Sequence, residues 1–204
     1  MHRHNEMRSG MRVIAGIYRS RVLVAPRGLK TRPTSDRMRE TLFNVLAPKI
    51  SGAVVADLFS GTGAIGIEAL SRGARQVYFA ENARPAVAAL RANLQALGIG
   101  SEGAVETAGS MPLLRRLVAA DIRLDVAYLD PPYREIEAYA QVLGFLGMAP
   151  VLQPGAVVVA EHTRRTTLPP VPGLEQFRTI THGEATISFF RPASVLPVGV
   201  ENSA

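Results

Sequence analysis

The residues best suited to chemistry stand at the end of an apolar run, in Asp130-Pro131-Pro132-Tyr133. Two consecutive prolines fix two φ angles and supply no N–H groups, so the turn is stiff and its carbonyls stay free to accept hydrogen bonds. Asp130 adds a carboxylate and Tyr133 an aromatic ring. Such a corner suits an exocyclic amine on a nucleobase, whose lone pair is delocalised into the ring and is therefore a poor nucleophile. Two acceptors holding the two amine hydrogens, here the Asp130 side chain and the Pro131 carbonyl, would aim that lone pair at an electrophilic methyl group. They would also relieve positive charge as the bond forms. Tyr133 suits stacking on a base turned out of its helix, as enzymes acting on bases require. Taken alone, the same four residues read more simply as a strand-terminating turn.

A second motif lies upstream, in Asp57-Leu58-Phe59-Ser60-Gly61-Thr62-Gly63. Glycines let the backbone turn sharply and approach a ligand with no Cβ in the way. Glu81 follows 18 positions after Gly63, and a carboxylate there can accept both ribose hydroxyls of a nucleoside. The spacing does not choose the nucleoside. Gly61, Gly63 and Gly66 also satisfy the dinucleotide fingerprint G-x-G-x-x-G, in which an acid near this distance recurs. A dehydrogenase stays open on this motif alone, although the Asp-Pro-Pro-Tyr corner has no role in one. A ligand-free tight turn is the plainest alternative.

Both motifs gain meaning from the elements around them. Hydrophobic patterning predicts strands over 53–58, 76–81, 102–107, 125–130 and 156–161. Helices are expected over 64–72, closed by Gly73, then 85–97, with Pro85 in its first turn and Gly98 past its end, then 113–119 and 136–146. Short apolar strands alternating with helices indicate an α/β fold with a parallel sheet covered on both faces. Residues 177–181 and 186–191, split by His182-Gly183, read as a closing antiparallel hairpin and bring the expected sheet to seven strands. Both motifs then fall at carboxyl ends of strands, where open α/β sheets bind ligands. Upstream, two short runs between Arg12 and Val24 read as a β-hairpin around Arg19 and Ser20. Pro26, Gly28 and Pro33 punctuate a loop. Thr34 or Ser35 can cap a helix with apolar positions Met38, Leu42, Val45 and Leu46, which Pro48 should end. The expected organisation is an unstructured extension over 1–10, a basic hairpin and helix over 11–50, one domain over 51–191, and a frayed tail over 192–204.

Composition narrows the partners. A chain of 204 residues allows one full α/β domain with a small appendage. It has no cysteine, and His2, His4, His162 and His182 show no ligand spacing with carboxylates, so no metal is expected. The longest uncharged stretch, Ala138 to Ala160, is cut by Pro154-Gly155 into two short apolar pieces, which argues against a membrane span. The N-terminus lacks an apolar signal core, and the cytoplasm is the expected location. The formal net charge of +6 is unevenly spread: residues 1–50 hold eleven basic groups against three acids, a balance of +8 that leaves −2 for the remainder. A basic first quarter on a near-neutral body is the footprint of a polyanion-binding segment. The bland counterpart is a solvated arginine-rich surface, since only two of the 23 basic residues are lysine.

Four stretches together resemble the RsmD family, bacterial methyltransferases acting on a guanine N2 of 16S ribosomal RNA. They are MRVIAGIYRSRVL at 11–23, RPTSDRMRETLFN at 32–44, DLFSGTGAIGIEALSRGA at 57–74 and LDPPY at 129–133. The likeness runs from Met11 to Arg191. It implies a Rossmann-like class I fold, dependent on S-adenosylmethionine, with an N-terminal hairpin and helix extension. The implied cofactor lining is Asp57, Phe59, Ser60, Gly61, Thr62, Gly63, Glu81, Asn82, Ser110 and Asp130. Asp130, Pro131, Pro132 and Tyr133 would form the catalytic corner. Arg12, Arg19, Arg21, Arg32, Arg37 and Arg39 would meet RNA, with Thr34 nearby. The implied partner is 16S ribosomal RNA, free or in a partly assembled small subunit, bound by a monomer. One position departs from the family pattern. Where the family has a Gly-Asp pair whose carboxylate reads the adenine amine, this chain has Gly109-Ser110, a neutral hydroxyl that makes a weaker bond.

Other readings share parts of this pattern. N6-adenine methylation of DNA is compatible with the corner, but no segment resembles a target-recognition domain. Protein glutamine methylation usually goes with asparagine at the position of Asp130. An RNA-binding assembly protein without turnover would use the basic segment and leave the cofactor hollow empty.

Overall fold

The computed structural model describes residues 11–25, 36–132 and 136–193. The expected extension over 1–10, the loop from Pro26 to Pro33, the Thr34 or Ser35 cap and the tail beyond 193 lie outside the described residues. Helix α1 (Asp36–Ile50) buries Met38, Leu42, Phe43 and Leu46. Pro48 does not end this helix as expected but sits inside its last turn. The ring removes a single N–H donor there, and the carbonyl left without it belongs to exposed Asn44, where water can serve.

The alternation follows as β1 (Val54–Asp57), α2 (Ala64–Ser71), β2 (Gln76–Ala80), α3 (Arg84–Leu97), β3 (Gly103–Glu106), α4 (Ser110–Ala119), β4 (Leu124–Leu129), α5 (Ile136–Met148) and β5 (Leu152–Thr163). The chain then closes with β6 (Leu174–His182) and β7 (Ala185–Pro192) as an antiparallel hairpin. Among the described residues the seven strands form one sheet in the order β3-β2-β1-β4-β5-β7-β6. All neighbours through β5 pair in parallel, and β7 runs antiparallel to β5. Leu42, Phe43, Ile67 and Leu90 bring α1, α2 and α3 onto one face. Leu113, Leu117, Val142 and Leu146 bring α4 and α5 onto the other. No helix among the described residues is long and apolar enough to cross a membrane.

Three departures from the expected elements have local causes. Helix α4 begins three residues early, at Ser110, because Pro112 falls in its first turn, where a missing N–H costs nothing. Strand β5 begins at Leu152 and runs through Pro154 and Gly155. Its pairing with β4 jumps from Leu124↔Leu152 to Val126↔Val157, an irregularity that absorbs both residues, with Gly155 at φ +76°. The N-terminal hairpin reduces to one bridge, Arg12↔Val22.

Residues 11–25, with this short hairpin, form an arm docked on the helices. Buried Glu68 accepts the backbone N–H groups of Ile14 at 2.7 Å and Ala15 at 3.0 Å, and pairs with Arg72 at 2.7 Å. The Ser71 hydroxyl accepts from Tyr18 N–H at 3.0 Å and donates to the Ala15 carbonyl. Gly16, at φ +82°, lies so close that a Cβ would fall 1.7 Å from the Ser71 carbonyl oxygen. The arm is thus held in two ways, across the hairpin by Val13 N–H to the Arg21 carbonyl at 3.0 Å and Leu23 N–H to the Met11 carbonyl at 2.7 Å, and to the domain through Glu68 and Ser71.

Candidate active site

Strands β1 and β4 are neighbours, with Asp57 opposite Tyr128, and the chain continues this pairing as Leu58 N–H donates to the Tyr128 carbonyl at 2.9 Å. The glycine loop after β1 and the proline corner after β4 therefore leave the same edge of the sheet side by side. The loop is built by short bonds. Ser60 N–H donates to the Ala80 carbonyl at 3.0 Å, the Ser60 hydroxyl to the Asp57 carbonyl at 2.7 Å, and Gly63 N–H to the Ser60 carbonyl at 2.7 Å. Gly61 and Gly63 both adopt the left-handed region, at φ +54° and +83°, which favours glycine. Their surroundings differ. A Cβ on Gly61 would meet open space, whereas one on Gly63 would lie 2.4 Å from Leu90. Phe59 is half-buried, and Thr62 is buried with its carbonyl accepting from Asn93 at 2.9 Å.

Asp57 lies beneath this loop, 1% exposed. Its Oδ2 accepts Gly66 N–H at 3.0 Å, while its Oδ1 is buried without a hydrogen-bond partner. Burial pushes its carboxyl up to about 7; the Gly66 bond pulls against this and the Glu81 charge adds to it. Glu81 at the end of β2 folds back on the loop, taking Gly61 N–H on Oε2 and Ala83 N–H on Oε1, both at 2.8 Å. Each oxygen keeps a further lone pair. Asn82 is exposed. Ser110 opens α4 after Gly109, which has φ +99°. Its buried hydroxyl donates to the Leu58 carbonyl, so it braces the junction of β1 and the loop.

In the proline corner Asp130 is half-buried, Pro131 buried and Pro132 exposed; Tyr133 lies outside the described residues. The Asp130 carboxyl is held well above the ordinary carboxylate range, by burial first and then by the negative charges of Glu161 and Asp57. Glu161 was not expected here. Leu129 pairs with Ala160, so Asp130 and Glu161 leave adjacent strands at the same level. The Glu161 Oε2 accepts the Tyr128 hydroxyl at 2.6 Å, and its backbone carbonyl accepts the Tyr139 hydroxyl at 2.6 Å. The available signal was an acid ending the apolar run of β5, as Asp57 and Glu81 end β1 and β2.

The arginines separate into two groups. Arg12, Arg19, Arg21 and Arg37 are exposed, and Arg32 lies outside the described residues. Arg39 is 1% exposed, which corrects the expectation that it meets RNA at the surface. Its guanidinium donates to the Arg12 carbonyl at 2.6 Å and to Asp36 at 3.0 Å, and its Nε is buried without a partner. Burial lowers its pKa, against the opposing pull of Glu68 and Asp36. It ties α1 to the arm. Among the described residues no group of three His, Asp or Glu side chains could hold a metal ion.

A family model described as conserved hypothetical protein 95 matches residues 11–191. The chain belongs to this family. It is the RsmD family, and two relatives are named as rRNA methyltransferases. The candidate rRNA methyltransferase YlbH of Bacillus subtilis is 33% identical over 182 residues, covering 89% of this chain and 98% of that protein. Ribosomal RNA small subunit methyltransferase D of Haemophilus influenzae is 38% identical over 152 residues, covering 74% and 78%. Among solved structures, the Escherichia coli protein yhhF superposes with a TM-score of 0.77 at 33% identity, covering 89% of this chain and 97% of its own. This RsmD-family chain has the class I methyltransferase fold, with its glycine loop and proline corner at the carboxyl edge of the sheet.

Proposed function

We propose that the chain transfers a methyl group from S-adenosylmethionine to the exocyclic N2 amine of a guanine in 16S ribosomal RNA. The single observation that carries this reading is the adjacency of β1 and β4, which brings an open glycine loop beside an acidic, proline-stiffened turn. Membership of a family whose named relatives include small-subunit rRNA methyltransferases supports the substrate class.

The residues present fit the cofactor. Gly61 leaves room for close approach, Glu81 keeps lone pairs for ribose hydroxyls, and the unpartnered Asp57 Oδ1 is an acceptor waiting at the loop. When bound, the cofactor supplies an electrophilic methyl carbon on a cationic sulfur. The carboxyls of Asp57 and Asp130, which burial and like charge push toward their neutral forms, would be drawn toward ionisation by that cation. The Asp130 carboxylate and the Pro131 carbonyl then hold the two amine hydrogens, aiming the nitrogen lone pair along the line of transfer. Positioning of this kind contributes roughly 7–11 kcal/mol in favourable intramolecular systems. As the N–C bond formed, the methyl–sulfur bond would break with its electron pair left on sulfur, and Asp130 would take the surplus amine proton. Ser110 takes no direct part in this reading, and recognition of the adenine falls to backbone groups.

The test is tritium transfer from labelled S-adenosylmethionine to ribosomal RNA, followed by nucleoside analysis. N2-methylguanosine should appear and be lost in Asp130→Ala. Label in N6-methyladenosine, or full transfer by the variant, overturns the reading.

A further inference from the structure

We propose that Asn93 is a positioning residue that couples cofactor occupancy to the order of the arginine-bearing arm. Asn93 lies on α3, 2% exposed, between two segments that the sequence keeps far apart. Its Oδ1 accepts Val24 N–H at 2.8 Å, and its Nδ2 donates to the Val24 carbonyl at 3.1 Å. The amide thus pairs with Val24 as a neighbouring strand would. The second Nδ2 hydrogen goes to the Thr62 carbonyl, 2.9 Å away in the glycine loop. Every polar atom of the amide is then used. A second, weaker thread joins the same two segments, as the Thr62 hydroxyl approaches the Met11 sulfur at 3.9 Å.

The chemistry of the amide is what makes this a coupling. An amide that is 2% exposed and loses one partner is left with an unsatisfied group, so each of its three bonds favours the others. Fixing the Thr62 carbonyl fixes the amide, and the amide fixes Val24. The arm it holds carries Arg12, Arg19 and Arg21 on its exposed surface, with no acid between Met11 and Ala25. A ligand that orders the glycine loop therefore orders the arginine-bearing arm that shares the Asn93 amide with it. Reciprocity requires the converse: RNA held by the arm tightens the loop around its cofactor.

This inference rests on reading the glycine loop as the cofactor site, and the experiment separates the two. Hydrogen exchange is measured on the full chain with and without S-adenosylhomocysteine. Peptides covering 57–63 report the loop, and the amides of Val13 and Leu23, which bond to Arg21 and Met11 within the arm, report the arm. In the wild type both should slow, the arm by about fivefold or more, the low end of typical coupling between sites. In Asn93→Ala the loop should still be protected, while arm exchange becomes fast and indifferent to the ligand. Val24→Pro removes the backbone donor to Oδ1 while leaving the bond from Asn93 to Thr62, and it serves where Asn93→Ala fails to fold. It should abolish the ligand effect on the arm and change affinity for S-adenosylhomocysteine by less than about twofold. A purely structural Asn93 would speed arm exchange equally with and without ligand, leaving a wild-type ligand effect that the variants retain. Loop protection without arm protection in the wild type, or a ligand effect that survives in either variant, overturns the proposal. Absence of loop protection removes the cofactor reading itself, and the coupling with it.

Discussion

Asp130 binds its proton more tightly than an ordinary carboxyl because it is half-buried and shares its corner with the charges of Glu161 and Asp57. Its proposed task requires the ionised form, since a protonated acid gives up acceptor capacity. Methyl transfer should therefore rise with pH along a limb above the ordinary carboxylate range. Glu161→Gln removes the like charge that acts most strongly on Asp130 while keeping an oxygen for the Tyr128 hydroxyl, and should move that limb to lower pH in a profile of kcat/KM. An unmoved limb would mean that Glu161 does not act on Asp130. The limb belongs to the interacting set of carboxyls rather than to one residue. Asp57 makes a second pH statement, about stability. Its folded pKa lies above the ordinary carboxylate range, at about 7. The stabilisation this gives is present below the ordinary carboxylate range and is lost as pH rises through about 7. Thermal melts without cofactor should show Tm falling over that window, and Asp57→Asn, which keeps an oxygen for Gly66 N–H, should flatten the slope.

At the scale of elements, the contact of α2 with β2 depends on the absence of a side chain. A Cβ on Gly66 would lie 2.2 Å from Phe79 Cε1. Glycine inside a helix costs about 0.5–1 kcal/mol relative to alanine, so only this close approach justifies it. Gly66→Ala should destabilise the domain by about 1–3 kcal/mol through overpacking, and a second change, Phe79→Leu, should recover part of the lost Tm. A Tm unchanged by the first substitution would show that Phe79 can move aside freely. The element boundaries that the sequence disclosed follow the same local logic. Gly98 does close α3 in the left-handed region, and Pro85 does sit in its first turn. The misread boundaries lie at prolines: Pro48, read as a terminator, lies inside the last turn of α1, Pro112 lies inside the first turn of α4, and Pro154, read as a break, lies within a strand irregularity. Whether such a residue breaks an element depends on which N–H it removes, and that depends on the partner.

Across the whole molecule, Arg12, Arg19, Arg21 and Arg37 are exposed, whereas the carboxylates of Asp57, Glu68 and Glu161 are buried. For a polyanion, each exposed arginine that neutralises a phosphate releases counterions. Arg19→Ala and Arg21→Ala should each weaken RNA binding without much change in Tm, and each should lower the slope of log affinity against log salt by about 1. Arg39→Ala should behave differently. It removes the bonds to the Arg12 carbonyl and Asp36, so its main effect should be a lower Tm with the salt slope little changed. A salt slope altered as strongly by Arg39→Ala as by Arg21→Ala would contradict the burial of Arg39.

Short-range patterns determined the alternation of strands and helices, the glycine loop, the proline corner and the basic first quarter. Each is written within a few consecutive residues, through a period, a φ restriction or a count of charges. The tertiary structure alone decided what meets what. Glu68 reaches Ile14 across 54 positions, Asn93 reaches Val24 across 69, and Tyr128 reaches Glu161 across 33. A buried polar group takes whichever partner the packing brings within about 3 Å, and no local pattern encodes that distance. That is why the expected hairpin is found docked on the helices, an expected RNA contact became an internal brace, and a glutamate on β5 joined the acidic corner.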